Sequence, residues 1–336
     1  MLLITSVDDY LGYCIASHLS QVKSVRKDMR VLYSQPSAWI KNFQTKGIDT
    51  VKITDCHHPD QLSKAMRNVT QIVLTLGSHP DRVKHCQKLL QVALRSGVKS
   101  VLFLSHIGAQ SEEHASLYDY GLVENMLIEQ EEQMTSVIFR LDFIQQYFHL
   151  WAAQVEQTKQ WRLPISHETE MCPVDIGDVC QSIEACVIRN DALLEELEDC
   201  HVGQVYTLTG PEALKNKQMM QMMSDATRYT NYKNHMCRPM DTRFYLDGLC
   251  RDIWFDARIK NETAKSYRDV LETNAYRTKA FSVPHRLFKD ACIDYFDWIN
   301  KTSGSVPVNH IQQFSKVPKT MGDFFQENAN SFKPKV

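Results

Sequence analysis

No C-x-x-C pair occurs among the ten cysteines of this 336-residue chain, which excludes the usual zinc-ribbon spacing and a small domain stapled by disulfides. The cysteines read as free thiols. Cys56-His57-His58 brings ligand types together, but neighbouring side chains diverge and no second cluster completes a tetrahedral set, so no metal is expected. An excess of charge of one sign is also lacking: 38 Lys and Arg stand against 40 Asp and Glu, a formal net charge of -2. That balance removes the long-range attraction on which non-specific binding to nucleic acid or an anionic membrane depends. No stretch approaches the roughly 20 apolar residues that span a bilayer, and Met1 to Ile4 meets Asp8 and Asp9 too soon to form a signal-peptide core. The expectation is a protein of the cytosol or nucleus, with no direct nucleic-acid or membrane partner.

What is present is apolar material for a sizeable core, 43% of the residues. Short β-branched or apolar runs at 2–5, 29–33, 50–53, 71–76, 100–105 and 135–140 alternate with stretches of helical period. Continuous rather than alternating hydrophobicity marks strands buried on both faces, and the intervening helices are the crossovers that parallel strands require. The spacing predicts a doubly wound, parallel α/β sheet. Within 81–96, Val83, Cys86, Leu89, Leu90, Ala93 and Leu94 recur at three and four, and Gly97 follows as a stop. Later, 175–189 and 211–227 read as helices, the second opened by Thr209 with Glu212 at capping-box spacing, and 205–208 reads as a strand. Met219, Met220, Met222 and Met223 on that second helix read as core filler. Beyond Pro239 the pattern is mostly helical and rich in aromatics, among them Phe244, Trp254, Phe255, Tyr267, Tyr295, Phe296 and Trp298. With no linker or repeat between the halves, we expect a sheet domain over 1–155 and a smaller, mostly helical subdomain over 156–336, with a segment near 203–209 returning to the sheet.

Thr5-Ser6-Val7-Asp8-Asp9-Tyr10-Leu11-Gly12 falls between a strand and a helix, where a dinucleotide-binding sheet carries its phosphate loop. Further on stand Val101-Leu102-Phe103-Leu104-Ser105-His106-Ile107-Gly108-Ala109 and Tyr120-Gly121-Leu122-Val123-Glu124, leading to Ser136-Val137-Ile138-Phe139-Arg140. Pro173-Val174-Asp175-Ile176-Gly177-Asp178-Val179, Tyr206-Thr207-Leu208-Thr209-Gly210 and Pro318-Lys319-Thr320-Met321-Gly322-Asp323-Phe324 follow in order. Together, over most of the chain, these segments resemble the NmrA-like branch of the atypical short-chain dehydrogenases/reductases. The resemblance implies a Rossmann-like domain for NADP or NAD, with the C-terminal part closing over a cleft for a small-molecule substrate or a protein partner such as a transcription regulator. It places the cofactor against Thr5, Ser6, Leu11 and Gly12, against Ser34 and Gln35 after the second strand, Leu76 and Gly77 after the fourth, and Ser105 after the fifth.

The family loop is Thr-Gly-x-x-Gly-x-x-Gly, and here Ser6 and Asp9 replace the first two glycines while Gly12 remains. The first glycine makes the turn, the second admits the pyrophosphate, and the third allows close packing of helix on strand. Carboxylates at the start of the helix are expected to cap it and repel a dinucleotide. Tyr33-Ser34-Gln35 carries neither the Arg that suits NADP nor the acid that suits NAD. The superfamily's Tyr-x-x-x-Lys pair is also missing, since Glu124 stands four residues after Tyr120. His106 and Tyr120 are the candidate acid/base pair, and Asp175 and Asp178 read as helix-capping residues. These features point first to a redox-sensing or scaffold-type regulator with weak or lost NADP binding. The alternative is an NAD(P)H-dependent reductase of a quinone or other small carbonyl compound.

Overall fold

The computed structural model describes residues 1–36, 38–54, 59–250, 284–314 and 317–334. Seven strands form the main sheet: β1 (Leu2–Ile4), β2 (Met29–Tyr33), β3 (Asp49–Lys52), β4 (Gln71–Thr75), β5 (Ser100–His106), β6 (Thr135–Leu141) and β7 (Val205–Leu208), in the order β7-β6-β5-β4-β1-β2-β3. β1 pairs in parallel with β2 on one side and β4 on the other. β4 and β5 continue the parallel register from Gln71 opposite Ser100. The strands are apolar without alternation because helices cover both faces. All five residues of β4 are buried, as are six of the seven in β5. Every strand expected from hydrophobic runs is present to within one or two residues, and 205–208 does return to the sheet.

The connecting helices are α1 (Tyr10–Leu19), α2 (Ala38–Thr45), α3 (Pro59–Ala65), α4 (Arg82–Arg95) and α5 (Ala115–Glu129), followed by α6 (His149–Thr158), α7 (Ile176–Val187) and α8 (Asn216–Thr227). The chain divides into two compact units. One comprises Met1–Glu112, Leu117–Arg140 and Cys180–Thr207; the other comprises Glu113–Ser116, Leu141–Val179 and Leu208–Val336. In the second, Phe143 packs against Phe148, Tyr295 and Phe296 with ring centroids 5.1–5.3 Å apart. Met219 and Met223, four apart on α8, are fully buried. Trp254, Phe255, Tyr267 and the Cys56-His57-His58 triplet lie outside the described residues. Among the described residues, no helix is long and apolar enough to cross a membrane.

One helix start differs from expectation. α8 begins at Asn216, not near Pro211, because Leu214 and Lys215 pair antiparallel with Met171 and Glu170. Its first turn is closed by Gln218, whose side chain accepts from the Lys215 N–H at 2.8 Å. Thr209 instead accepts the Val308 N–H at 2.9 Å. A long-range strand pairing has displaced a cap that looked local in the sequence. Asp175 does cap α7, accepting from the Gly177 N–H at 2.8 Å, whereas Asp178, inside the first turn of α7, accepts from the Lys319 N–H at 2.8 Å, outside that helix.

Candidate functional site

The strand order reverses at β1, between β4 and β2, and a doubly wound sheet opens a crevice at such a point beyond the carboxyl ends of its strands. A cavity lies there, lined by Thr5, Ser6, Asp8 and Asp9 after β1, Ser34 after β2, Gly77 and Ser78 after β4, and Arg82 and Cys86 of α4. Four of the expected cofactor residues, Thr5, Ser6, Ser34 and Gly77, meet in its wall. Leu11, Gly12, Gln35, Leu76 and Ser105 are not among its lining residues.

The loop keeps its shape with altered residues. Ser6 takes the left-handed conformation, φ 51°, that a glycine would adopt freely; for a serine this costs about 1 kcal/mol. Thr5 is tied to β4: its hydroxyl oxygen accepts the Thr75 N–H at 2.9 Å, and the Thr75 hydroxyl donates to the Thr5 carbonyl at 3.1 Å. Gly12 holds the packing position, since a Cβ there would lie 2.4 Å from the Ser6 carbonyl oxygen and 2.5 Å from that of Thr5. Gly12→Ala must therefore push α1 off the loop, and we expect it to lower unfolding free energy by about 2 kcal/mol, read as a fall in the denaturant midpoint.

Neither loop carboxylate caps α1, which corrects the expectation from sequence. Asp9 occupies the N-cap position without a side-chain capping bond. Its carboxyl is held by Ser78, and burial, reinforced by the charge of Asp8, pushes its pKa up to about 7. Asp8 reaches across to the end of β2. Its Oδ2 accepts from the Ser34 N–H at 2.9 Å, the Ser34 hydroxyl at 2.7 Å and the Gln35 N–H at 2.8 Å. Gln35 thus contributes through its backbone.

At the end of β5 the sequence candidates separate. Ser105 is buried and donates to Glu124 Oε1 at 2.5 Å. Glu124, fully buried, also takes Arg140 in a two-pronged ion pair, Nε at 3.0 Å and an Nη at 2.6 Å, and the Gln110 amide at 3.0 Å. The carboxylate standing where the superfamily carries its lysine is thus committed to Arg140. Ser105 faces that pair, and among the described contacts it serves structure. His106 and Tyr120 do come together, with ring centroids 5.9 Å apart. Burial first, and the charge of Arg82 second, hold the His106 pKa down at about 3. Its Nδ1 accepts the Gly108 N–H at 2.9 Å. The ring is therefore neutral near pH 7, with its proton on Nε2. The titration near neutrality expected from its residue type is lost to burial.

Arg82 was not among the residues singled out from sequence. It is 4% exposed, donates to Asp119 at 2.8 Å and lies over the Tyr120 ring, 5.4 Å from the centroid. Its signal was present: Arg82, Cys86 and Leu89 fall at i, i+4 and i+7, so the cation sits on the apolar stripe of α4. Among the described residues, Glu198, Cys200 and His201 form one grouping of metal-ligand types, but the Glu198 carboxylate is already bound by Arg189.

No protein-family model matches the sequence. Among solved structures, the Citrobacter sp. triphenylmethane reductase complexed with NADP(H) superimposes with a TM-score of 0.71 at 12% identity, covering 98% of this chain and 100% of that one. The NADPH-dependent quinone oxidoreductase of Escherichia coli, complexed with NADPH, gives 0.70 at 14%, covering 97% and 99%. The chain shares the Rossmann-like fold of these two proteins. This bears out, at the level of fold, the resemblance to NmrA-like proteins of the atypical short-chain dehydrogenase/reductase superfamily. Among curated proteins, the NAD(P)H azoreductase of Xenophilus azovorans is 22% identical over 190 residues, a match spanning 56% of this chain and 62% of the azoreductase. In dinucleotide-binding sheets of this kind, the position beyond the corresponding strand ends is the one that holds the adenosine half of the ligand.

Proposed function

We propose that this chain is an NAD(P)H-dependent reductase of a quinone or a comparable small, electron-poor carbonyl compound. The observation that carries the reading is the cavity at the switch point, whose loop keeps the left-handed turn at Ser6 and the close packing at Gly12 although two glycines are gone. Its donor and acceptor set at the end of β2 suits a ribose, so the residues fit the adenosine half of a dinucleotide. The full-length likeness to reductases supports the same reading.

A bound reduced dinucleotide supplies hydride, which carries both electrons to the acceptor. The chain's own residues then have a limited task. Glu124 is committed to Arg140 and His106 is neutral, so neither of these two is poised to release a proton near pH 7. His106, through Nε2–H, and the Tyr120 hydroxyl instead orient an acceptor oxygen, and the proton that completes a hydroquinone comes from water. This favours acceptors whose reduced anion is stable enough to wait for solvent, such as quinones, over simple ketones.

The test is oxidation of NADH and NADPH by the purified protein with menadione, a benzoquinone and a simple aldehyde, alongside calorimetric titration with each dinucleotide. We expect binding, and turnover with quinones at least tenfold faster than with the aldehyde. Neither binding nor turnover would overturn the reading. A second reading has support of its own: the Asp9 carboxyl lines the cavity at the loop position that a glycine holds in dinucleotide-binding sheets, which suits a regulator that has lost its dinucleotide and acts through a protein partner such as a transcription regulator. Recovery of a stable complex from native cells, together with silence in the titrations, is the outcome that favours it.

A further inference from the structure

We infer that Asp8 makes this site selective for NAD(H) over NADP(H), although both solved reductases described above were complexed with the phosphorylated form. The inference rests on the dinucleotide reading given above.

Three donors converge at the end of β2, the Ser34 N–H, the Ser34 hydroxyl and the Gln35 N–H, at 2.7–2.9 Å from a single oxygen, Asp8 Oδ2. Two successive backbone N–H groups and a hydroxyl aimed at one point form an anion cradle. The end of the second strand in a doubly wound sheet is where the adenosine ribose is read: a carboxylate accepts from its 2′-hydroxyl, or a cation accommodates its 2′-phosphate. Here the carboxylate comes from the loop after β1 and is locked in place by the strand-end donors. All three bonds fall on Oδ2, which leaves the acceptor capacity of Oδ1 for a ribose hydroxyl.

A 2′-phosphate meets the opposite situation. The cradle that would bind it already holds an anion belonging to the chain, so the phosphate must either displace Asp8 or lie against it. Among the described residues lining this cavity, the one arginine, Arg82, is bonded to Asp119, and the two histidines, His79 and His85, stack on each other with ring centroids 4.2 Å apart. No lysine lines it. The Asp8 carboxylate in contact with a 2′-phosphate disfavours the phosphorylated form specifically, because NAD and NADP share every other group.

The experiment is calorimetric titration of the wild-type chain, Asp8→Asn and Asp8→Ala with NAD and NADP, repeated with ADP and 2′,5′-ADP as fragments that lack the nicotinamide. Wild type should bind NAD at least fivefold tighter than NADP, and ADP tighter than 2′,5′-ADP. Asp8→Asn keeps an oxygen for the Ser34 and Gln35 donors while removing the charge, and should bring the ratio close to one. Asp8→Ala empties the cradle and should turn the preference toward NADP. Asp8→Asn retains the local hydrogen bonds, so it tests the charge even where Asp8→Ala folds poorly. Wild-type binding of NADP equal to or tighter than that of NAD overturns the inference and leaves the dinucleotide reading standing, as does a ratio unmoved in Asp8→Asn. Failure of the wild type to bind any of the four overturns the dinucleotide reading itself, and the selectivity falls with it.

Discussion

Replacing Arg140 with leucine should destabilise the protein by about 3 kcal/mol, because it strands a fully buried carboxylate. Glu124 receives two bonds from Arg140 and one each from Ser105 and Gln110. The pairing also favours the charged guanidinium, holding the Arg140 pKa above its ordinary value. Removing the arginine leaves the two neutral donors facing an anion that has lost its counter-charge. The side chain of Arg140 is 28% exposed, so water softens the loss and places it at the lower end of what broken buried pairs show, roughly 3–5 kcal/mol. The companion variant is informative. Glu124→Met together with Arg140→Leu should recover more than half of the loss, since a well-packed apolar replacement removes the desolvation penalty along with the attraction. Urea unfolding of the two single variants and the double variant measures all three values, and strictly additive losses would mean that Glu124 and Arg140 do not act as a pair.

Asp9→Gly should tighten NAD binding about tenfold at pH 8, and the gap should close as pH falls. The Asp9 pKa is raised to about 7, by burial above all, so its carboxyl is largely neutral at pH 6 and largely ionised at pH 8. On the dinucleotide reading, the ionised form faces the incoming pyrophosphate at the second glycine position of the phosphate loop. If only the protonated form admits the ligand, wild-type affinity drops about tenfold between pH 6 and pH 8, or about 1.4 kcal/mol. The consequence for folding has the same sign. The folded-state pKa lies above the unfolded value, so the stability associated with this group is fully present below about pH 4 and is lost as pH rises through about 7. Asp9→Asn, which cannot ionise, should therefore gain on wild type by roughly 4 kcal/mol at pH 8 and by less than half of that at pH 5. Calorimetry at the two pH values and unfolding curves for wild type and Asp9→Asn are sufficient. A wild-type affinity that does not vary with pH would show that Asp9 is not ionising against the ligand.

The architecture was largely legible from the chain. Runs such as Ile72-Val73-Leu74 and Leu102-Phe103-Leu104 are apolar at every position, and only burial on both faces accounts for that, so a parallel sheet followed from local pattern alone. The loss of two loop glycines, the retention of Gly12 and the missing Tyr-x-x-x-Lys were equally plain. Their meaning depended on long-range contacts. Asp8 and Asp9 look alike as neighbours in sequence, yet one spans 26 residues to Ser34 and the other turns to Ser78. Glu124 stood out in sequence as the residue in place of a lysine four positions after Tyr120, and only β6, bringing in Arg140, gave it a partner. The start of α8 moved because Lys215 pairs with Glu170, 45 residues earlier in the chain. Hydrophobic period is a one-dimensional property that burial imposes on every element, so the sequence alone determined the sheet, its crossovers and the altered phosphate loop. Which charge meets which donor is decided where distant strands end side by side, and only the tertiary structure sets that.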